Sequence, residues 1–413
     1  MRAAKRSLRE NPMATRRVVI TGVGLISCLG NDPDTFFDNL VEGKSGLRPY
    51  PDLGRHPVGR AQFAPEEHFT RTDLLGLDRV SQFAIVASRE AAANADLTAV
   101  DKERLGVFYG TGTSGAATLE ASYGNFFGVR PERYLCIPMA MNHAPASQVA
   151  ISLGAMGECQ TYSTACSSSA VAIGEGYRRI KDGYIDVAVA GGAECMLVPS
   201  VMNEWEKLRV LAPAQGDPSS GCRPFDASRH GFHLAESAAT VILESIEHAT
   251  ARGAPILGEI AGYGLSNDAS HITKPSPAGQ RLAIKRAMAD AGISPGDLAY
   301  VNLHGTATGA GDLAEAQSVE EVFGEMARRV PMSATKSSHG HAIGATGALE
   351  FIATLWALRR AIAPPTAFTE QVAPGISLNL ICRQAERLRN SGYGASNSFA
   401  FGGANAVLVL RKT

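Results

Sequence analysis

The sequence predicts an α/β protein built from two similar halves, with a mixed or parallel sheet clad by helices. Short β-branched or small apolar runs alternate with segments of helical spacing from Arg17 to the C-terminus, the pattern of β-α units. The chain also echoes itself. Adding 170 to the numbers of Cys166-Ser-Ser-Ser-Ala-Val-Ala-Ile-Gly174 gives Lys336-Ser-Ser-His-Gly-His-Ala-Ile-Gly344, identical at five of nine positions. Gly110-Thr-Gly-Thr113 and Gly305-Thr-Ala-Thr308, each after an apolar strand, form a looser pair. Finally, 413 residues with 45% hydrophobic and 19% charged are enough for one large core or two fused ones.

Taken in order, Arg17-Val-Val-Ile-Thr begins a strand, and Asn31-Asp-Pro-Asp-Thr offers an N-cap with proline in the first turn of a helix that stops at Gly43. Residues 44–77, rich in Pro, Gly and charge, read as surface loop. A helix spans 78–96, a strand starts at Leu105, and a further helix covers 144–153. The residues before Cys166 read as a buried strand and those after it, to Lys181, as a helix, so the cysteine stands at a strand-to-helix elbow. A strand follows at 186–190, then an irregular segment at 199–226, and strands at 238–244 and 254–266. The second half brings helices at 281–291, 313–323 and 349–360, with strands at 298–303, 332–334 and 405–410. The division is a leader over 1–16, a first half over 17–253 that carries the elbow, and a second half over 254–413.

A formal net charge of -1 provides no field to recruit nucleic acid. No apolar run approaches the roughly 18 residues of a membrane span. The seven cysteines, at 28, 136, 159, 166, 195, 222 and 382, contain no C-x-x-C pair and suggest neither a disulfide framework nor a zinc site. The leader is basic but has no apolar stretch after it, so it reads as disordered, with Met13 as a second start, and the compartment as the cytoplasm.

Cys166 is the candidate nucleophile. Unpaired N–H groups and the positive end of a helix dipole favour a thiolate and lower a pKa otherwise about 8.5, although a cysteine among small residues is also an ordinary core residue. If the echo reflects facing elbows, Cys166 approaches Lys336, His339 and His341; chance resemblance of small-residue helix starts is the alternative. His304 closes Ala-Tyr-Val-Asn-Leu-His and His341 opens His-Ala-Ile-Gly, both where loops meet rigid elements. Two imidazole donors suit one carbonyl oxygen that must carry enolate charge better than they suit a hydrolase. Lys336 and Glu315 are expected to form a buried ion pair, while Asp312 on the same helix face fits a solvated charge. The glycines of Phe399-Ala-Phe-Gly-Gly-Ala-Asn405 would let the N–H of Phe401 complete an oxyanion hole with that of Cys166. No nucleotide-binding glycine pattern occurs.

Over about Arg17 to Leu410 the chain resembles the β-ketoacyl-acyl-carrier-protein synthases of the type I/II branch. The motifs are Thr-Ala-Cys-Ser-Ser at 164–168, Val-Ala-Gly-Gly-Ala-Glu at 189–194, Arg-Pro-Phe-Asp at 223–226, Asn-Leu-His-Gly-Thr-Ala-Thr at 302–308, Thr-Lys-Ser at 335–337, Gly-His at 340–341 and Asn-Ser-Phe-Ala-Phe-Gly-Gly at 397–403. Its endings resemble nodulation protein E and type II polyketide or polyene ketosynthases more than housekeeping synthase II. The resemblance implies a thiolase-like fold with a layered α-β-α-β-α core, and a decarboxylating condensation of an acyl group on Cys166 with malonyl-acyl-carrier protein. It implies His304 and His341 on the malonyl carbonyl, Lys336 supporting them with Glu315 behind it, and Phe401 as a gate. It also implies Leu119, Trp205 and Phe399 at the acyl pocket, Arg209 at a carrier-docking position, and pairing with itself or a sister chain. No metal or other cofactor is implied, because the carrier protein brings its own phosphopantetheine arm.

Three departures from the family pattern stand out: Ala235-Glu-Ser-Ala-Ala for a glycine-rich stretch, Gly309 for a proline, and Ala400 for a glycine, the last putting gate mobility in doubt. The alternative is a chain-length-factor-like partner that binds without catalysing, against which the intact Cys166, His304, Lys336 and His341 set argues. A thiolase would want a second catalytic cysteine and a synthase III a Cys-His-Asn set.

Overall fold

The computed structural model describes residues 16–128, 135–213, 217, 220–389 and 392–413. In the first half the elements run β1(Val18–Ile26), α1(Pro33–Val41), α2(Arg71–Leu74), α3(Arg79–Ala95), β2(Leu105–Gly110), α4(Ala116–Phe126), α5(Cys136–Ala140), α6(Ala144–Leu153), β3(Cys159–Tyr162), α7(Ser168–Lys181), β4(Val187–Glu194), α8(Pro199–Lys207), β5(Ser237–Ser245) and α9(Ile246–Ala251). The second half runs β6(Gly258–Asn267), α10(Pro277–Ala291), β7(Leu298–Asn302), α11(Gly309–Phe323), β8(Met332–Ser333), α12(Lys336–His339), α13(Ile343–Arg360), a two-stranded ribbon of β9(Ile362–Ala363) and β10(Glu386–Arg387), β11(Tyr393–Phe399) and β12(Ala404–Arg411).

Local chemistry sets many of these boundaries. Asp32 caps α1 by accepting the Thr35 N–H, with Pro33 in the first turn, and Asp78 caps α3 by accepting the Val80 N–H. At the far end of α3, Asp96 takes a left-handed conformation that stops the helix. The buried run Val187–Glu194 forms a central strand, as a continuous small and apolar sequence should.

Ten strands form one sheet in the order β3-β2-β4-β5-β1-β6-β12-β11-β7-β8. Read inward from either end, the pairings are parallel, parallel, antiparallel, antiparallel. The halves join where β1 runs antiparallel to β6, from Val18 opposite Ile260 to Ile20 opposite Gly258. Between the two half-sheets lie α7 and α13, whose Ala170, Ile173 and Tyr177, and Phe351 and Leu355, share one core with both halves. Helices α3 and α6 cover the outer face of the first half through Val80, Phe83, Ala87 and Val149. Ala283, Ala287, Ala316 and Val319 of α10 and α11 cover the second. This is the layered, pseudo-symmetric α-β-α-β-α fold expected. The two central helices touch at Gly347, where a Cβ would lie 2.9 Å from that of Ala170.

The two halves are alike in topology, but the nine-residue echo does not mark equivalent positions. Helices α7 and α13 start at Ser168 and Ile343, 175 residues apart, so Cys166, two residues before α7, stands opposite His341, two residues before α13. Lys336 is therefore not the counterpart of Cys166. Helix α8 occupies part of the segment expected to be irregular, and the central strand β11 was not anticipated at all. Residues 44–77 are no mere surface excursion, since Leu47, Leu53 and Val58 are buried. Residues 1–15 of the expected leader, Met13 included, lie outside the described residues. Arg16 is anchored: its N–H donates to the Lys181 carbonyl and its guanidinium meets Asp186 at 2.8 Å. Among the described residues, no helix is long and apolar enough to cross a membrane.

Candidate active site

Cys166 lies just before α7, at the elbow the sequence predicts, although β3 before it is a partly exposed edge strand and not the buried strand expected. Ala165 adopts φ +50°, a left-handed conformation that costs a non-glycine residue, and this turns the chain sharply into the helix. Serine side chains lock the bend: Ser167 Oγ donates to the Thr164 carbonyl at 3.0 Å, and the Thr164 N–H donates to Ser168 Oγ at 2.9 Å. The thiol is buried, and the backbone N–H groups of Phe401 and of Cys166 itself are near enough to favour its ionised form.

The expected lowering of the thiol pKa does not follow. Burial pushes the Cys166 thiol up to about 11, against the smaller opposing pull of Lys336 and the two N–H groups. Taking a thiolate out of water costs more than these partners return.

His304 follows β7 and is held from behind: its N–H and that of Gly305 donate to Glu315 Oε1 and Oε2 at 2.7 and 2.8 Å. His341 precedes α13; its N–H donates to the His233 carbonyl at 2.8 Å, and its Nδ1 lies 3.0 Å from Thr346 Oγ1. The rings stand 5.7 Å apart at 83°, and Cys166 Sγ and one nitrogen of each ring lie within 4.8 Å of one another. Burial first, and then the charge of Lys336, holds both imidazoles well below the usual histidine range, so both are neutral near pH 7.

Lys336 Nζ donates to the His304 carbonyl and lies 3.3 Å from His304 Nδ1. An ammonium only donates, so Nδ1 accepts and the ring proton is assigned to Nε2. The carboxylate paired with Lys336 is Glu350, both of whose oxygens accept at 2.8 Å, and not Glu315. Glu315 is already occupied by the two loop N–H groups and by Asn397 Nδ2 at 3.2 Å. Asp312 is not a solvated charge: it is fully buried, accepts the Phe225 N–H at 2.6 Å, and is pushed by burial up to about 7. His339 turns away from the site, its Nε2 3.1 Å from Thr335 Oγ1 and its ring against Phe36.

These groups open on a cavity of about 280 Å³ lined by Cys166, His304, His341, Trp205, Phe399 and Phe401, among others. Trp205 stacks on Phe401 at 6.2 Å, and Phe399 packs against His304 at 6.1 Å. Leu119 does not line it; it is 36% exposed on α4, beside Tyr123 and Phe126 on an apolar surface. Arg209 is exposed in the turn after α8, between Leu208 and Val210, which both line the cavity. Ala400 is in ordinary extended backbone, φ -106° and ψ 157°, so alanine is unstrained there; the positive φ falls on Gly402 and Gly403.

The sequence reading missed Glu350, Thr346, Asn397 and Phe232, whose ring meets that of His341 at 5.0 Å. Glu350 left one signal, as the only acid in the otherwise apolar or small run from Ile343 to Leu358. The sulfur and two ring nitrogens are close enough to hold a soft divalent ion, yet Lys336 sets a positive charge against them. The arrangement offers a thiol that can take an acyl group, backbone N–H groups that can face an oxyanion, and two neutral imidazoles that can face one developing enolate.

Models of the beta-ketoacyl synthase N-terminal and C-terminal domains match residues 15–249 and 257–370. Nodulation protein E of Rhizobium sp. (strain N33) is 39% identical over 406 residues, covering 96% of this chain and 99% of that protein. The 3-oxoacyl-[acyl-carrier-protein] synthase 2 of Staphylococcus aureus (strain N315) is 37% identical over 409 residues, covering 96% and 98%. Among solved structures, a beta-ketoacyl synthase from Burkholderia phymatum STM815 superposes with a TM-score of 0.90 at 34% identity, covering 96% of this chain and 100% of that one. The type II PKS ketosynthase AntDE, in complex with its acyl-carrier protein AntF, gives 0.87 at 28% identity over 97% and 100%. The ishigamide ketosynthase/chain length factor gives 0.88 at 31% over 97% and 100%.

Proposed function

The chain belongs to the beta-ketoacyl synthase family, and from that premise we propose how its residues divide the work of a decarboxylating Claisen condensation in fatty acid or polyketide chain elongation. The protein is an acyltransferase. In the first step the Cys166 sulfur attacks the carbonyl of an acyl thioester on a carrier protein. The carrier's sulfur leaves with the proton given up by the thiol, and the N–H groups of Cys166 and Phe401 hold the tetrahedral oxyanion. In the second, the carbonyl oxygen of malonyl-carrier protein accepts from His304 Nε2–H and from His341. The bond to the carboxylate breaks, carbon dioxide leaves, and the electron pair becomes an enolate held by those donors. The enolate carbon attacks the acyl-Cys166 carbonyl, the C–S bond breaks, and the departing thiolate takes a proton from water as the 3-oxoacyl-carrier product leaves.

The observation that carries this reading is the meeting of Cys166 Sγ with the ring nitrogens of His304 and His341 within 4.8 Å, where burial, aided by the charge of Lys336, keeps both rings neutral. A hydrolase would want one ring as base beside the thiol; two neutral rings suit an enolate. Lys336, held by Glu350, orients His304; Trp205, Phe399 and Phe401 receive the acyl chain; Arg209 steers an acidic carrier to the cavity mouth. The phosphopantetheine arm arrives on that carrier, and a cytoplasmic setting follows from it. The partner subunit, a second copy or a sister chain, binds along β3, a sheet-edge strand next to the elbow. A chain-length-factor-like role is the second reading, favoured only by the likeness to a ketosynthase/chain length factor assembly.

Intact-mass measurement after incubation with a panel of acyl-carrier proteins tests the assignment. One acyl group should map to the Cys166 peptide and vanish in Cys166→Ala. An acyl group on another cysteine would overturn the nucleophile, and no acylation from any donor would favour the non-catalytic role.

A further inference from the structure

The motif Val-Ala-Gly-Gly-Ala-Glu ends in Glu194, a fully buried carboxylate at the end of β4 that the chemistry above does not use. It faces four donors. Oε2 accepts the N–H of Gly112 at 2.6 Å and of Gly344 at 3.0 Å, while Oε1 accepts the N–H of Thr113 at 3.0 Å and the Thr111 hydroxyl at 3.4 Å. Gly112 and Thr113 lie in the loop after β2, in the first half; Gly344 lies in the first turn of α13, in the second. One side chain thus ties the two halves together beside the site.

The second half contains a partial counterpart. There Glu315 clamps two successive N–H groups of the loop after β7, and one of them belongs to His304. Glu194 grips the loop after β2 in the same way and, in addition, reaches the start of α13. His341 stands three residues before Gly344, and its Nδ1 partner, Thr346, two residues after it. Between them Ile343 is held at φ +33°, a conformation that strains a β-branched residue and persists only where its surroundings impose it. The packing around the carboxylate is tight. A Cβ on Gly344 would lie 2.3 Å from the Gly112 nitrogen and 2.7 Å from Glu194 Oε2, and a Cβ on Gly112 would lie 2.9 Å from Ile343 Cγ2. Burial pushes the Glu194 carboxyl up to about 7 in spite of its four donors, a desolvation cost that a neutral glutamine would not carry.

We infer that Glu194 is a positioning residue for decarboxylation: by tying the Gly344 N–H to the Gly112–Thr113 loop it holds the strained turn that presents the His341 ring to the malonyl carbonyl. The inference rests on the reading of His341 as an enolate donor. A glutamine there has a single acceptor oxygen, and its NH₂ would face N–H groups that it cannot accept from.

The test follows both partial reactions in the full-length protein, with Glu194→Gln, Gly344→Ala, His341→Ala and the Glu194→Gln/His341→Ala double variant. Carbon dioxide release from a malonyl thioester and loading of Cys166 by an acyl-pantetheine thioester are measured side by side, each against the thermal midpoint. Glu194→Gln should lower kcat for release about tenfold or more, with KM and acyl loading within about twofold, since misplacing a donor costs the step that uses it. Gly344→Ala, whose methyl would press on the Gly112 nitrogen as well as on the carboxylate, should give the same split, and Glu194→Asp, which keeps the charge but shortens the reach to the Gly344 N–H, serves if neither of these folds. In the double variant no loss should appear beyond that of His341→Ala alone. Wild-type release in the Glu194 or Gly344 variants, or equal loss of release and loading, would overturn the inference. Wild-type release in His341→Ala would strike down the histidine reading itself, and the inference with it.

Discussion

At Cys166 the balance of burial against local charge decides how the thiol must work. With its pKa pushed up to about 11, the resting group is the thiol, and deprotonation accompanies attack on a bound thioester instead of preceding it. Because the folded value is raised, the thiolate fraction stays small below that pH and grows roughly tenfold per pH unit. Alkylation of Cys166 by iodoacetamide in the free protein should therefore rise steadily from pH 7 to pH 9; a plateau in that range would mean a preformed thiolate. The Lys336–Glu350 pair makes a second prediction. Both side chains are fully buried, so Glu350→Gln leaves an uncompensated ammonium and should destabilise the fold by roughly 3–5 kcal/mol, read by denaturant unfolding. A cost under about 1 kcal/mol would mean that the pair is not a closed unit. The chemistry-bearing residues were legible because they sit in small-residue motifs at element ends. Their partners were not: Glu315 and Glu350 lie on α11 and α13, and which of them meets Lys336 depends on how those helices pack around α12 within the second half, which no local spacing encodes.

Among the elements, the elbow depends on close approach between the end of β2 and the start of α7. A Cβ on Gly110 would lie 2.4 Å from both the Ser168 carbonyl carbon and the Ser169 nitrogen. Gly110→Ala should cost roughly 1–3 kcal/mol by overpacking. It should also slow acyl loading of Cys166 by moving the first turn of α7. Unchanged melting and loading would show that the elbow yields freely. Helix α6 falls at the boundaries its spacing predicts, Ala144–Leu153, since caps and breakers lie in its own sequence. Strand β11 was invisible for the opposite reason: Gly394-Ala-Ser-Asn-Ser has almost no intrinsic strand preference and becomes a strand because β7 and β12 flank it. Helix α13 begins six residues before the expected Leu349 because its first turn is small and buried on all sides, leaving no amphipathic pattern to read.

For the molecule as a whole, two half-sheets meeting at β1 and β6 bring a first-half cysteine and second-half histidines to one cavity; the nine-residue echo, at an offset of 170 where the helices repeat at 175, did not align equivalent positions. The edge strand β3 and the exposed Leu119, Tyr123 and Phe126 predict association. Sedimentation at micromolar concentration should show a dimer, or a monomer that pairs only with a sister chain; a monomer that pairs with neither would remove that role from the edge. Arg209→Glu should raise KM for an acyl-carrier protein while leaving acyl-pantetheine loading nearly unchanged, and equal loss with both donors would mean structural damage. The central claim, that one site captures an acyl group and condenses it with a carbanion made by decarboxylation, is tested most directly by single-turnover stoichiometry. Protein loaded with a labelled acyl group on Cys166 is mixed with carboxyl-labelled malonyl-carrier protein. One carbon dioxide and one 3-oxoacyl-carrier product should appear for each acyl group lost from Cys166. Loss of the acyl group to water, or carbon dioxide release with the acyl group still on the cysteine, would contradict it.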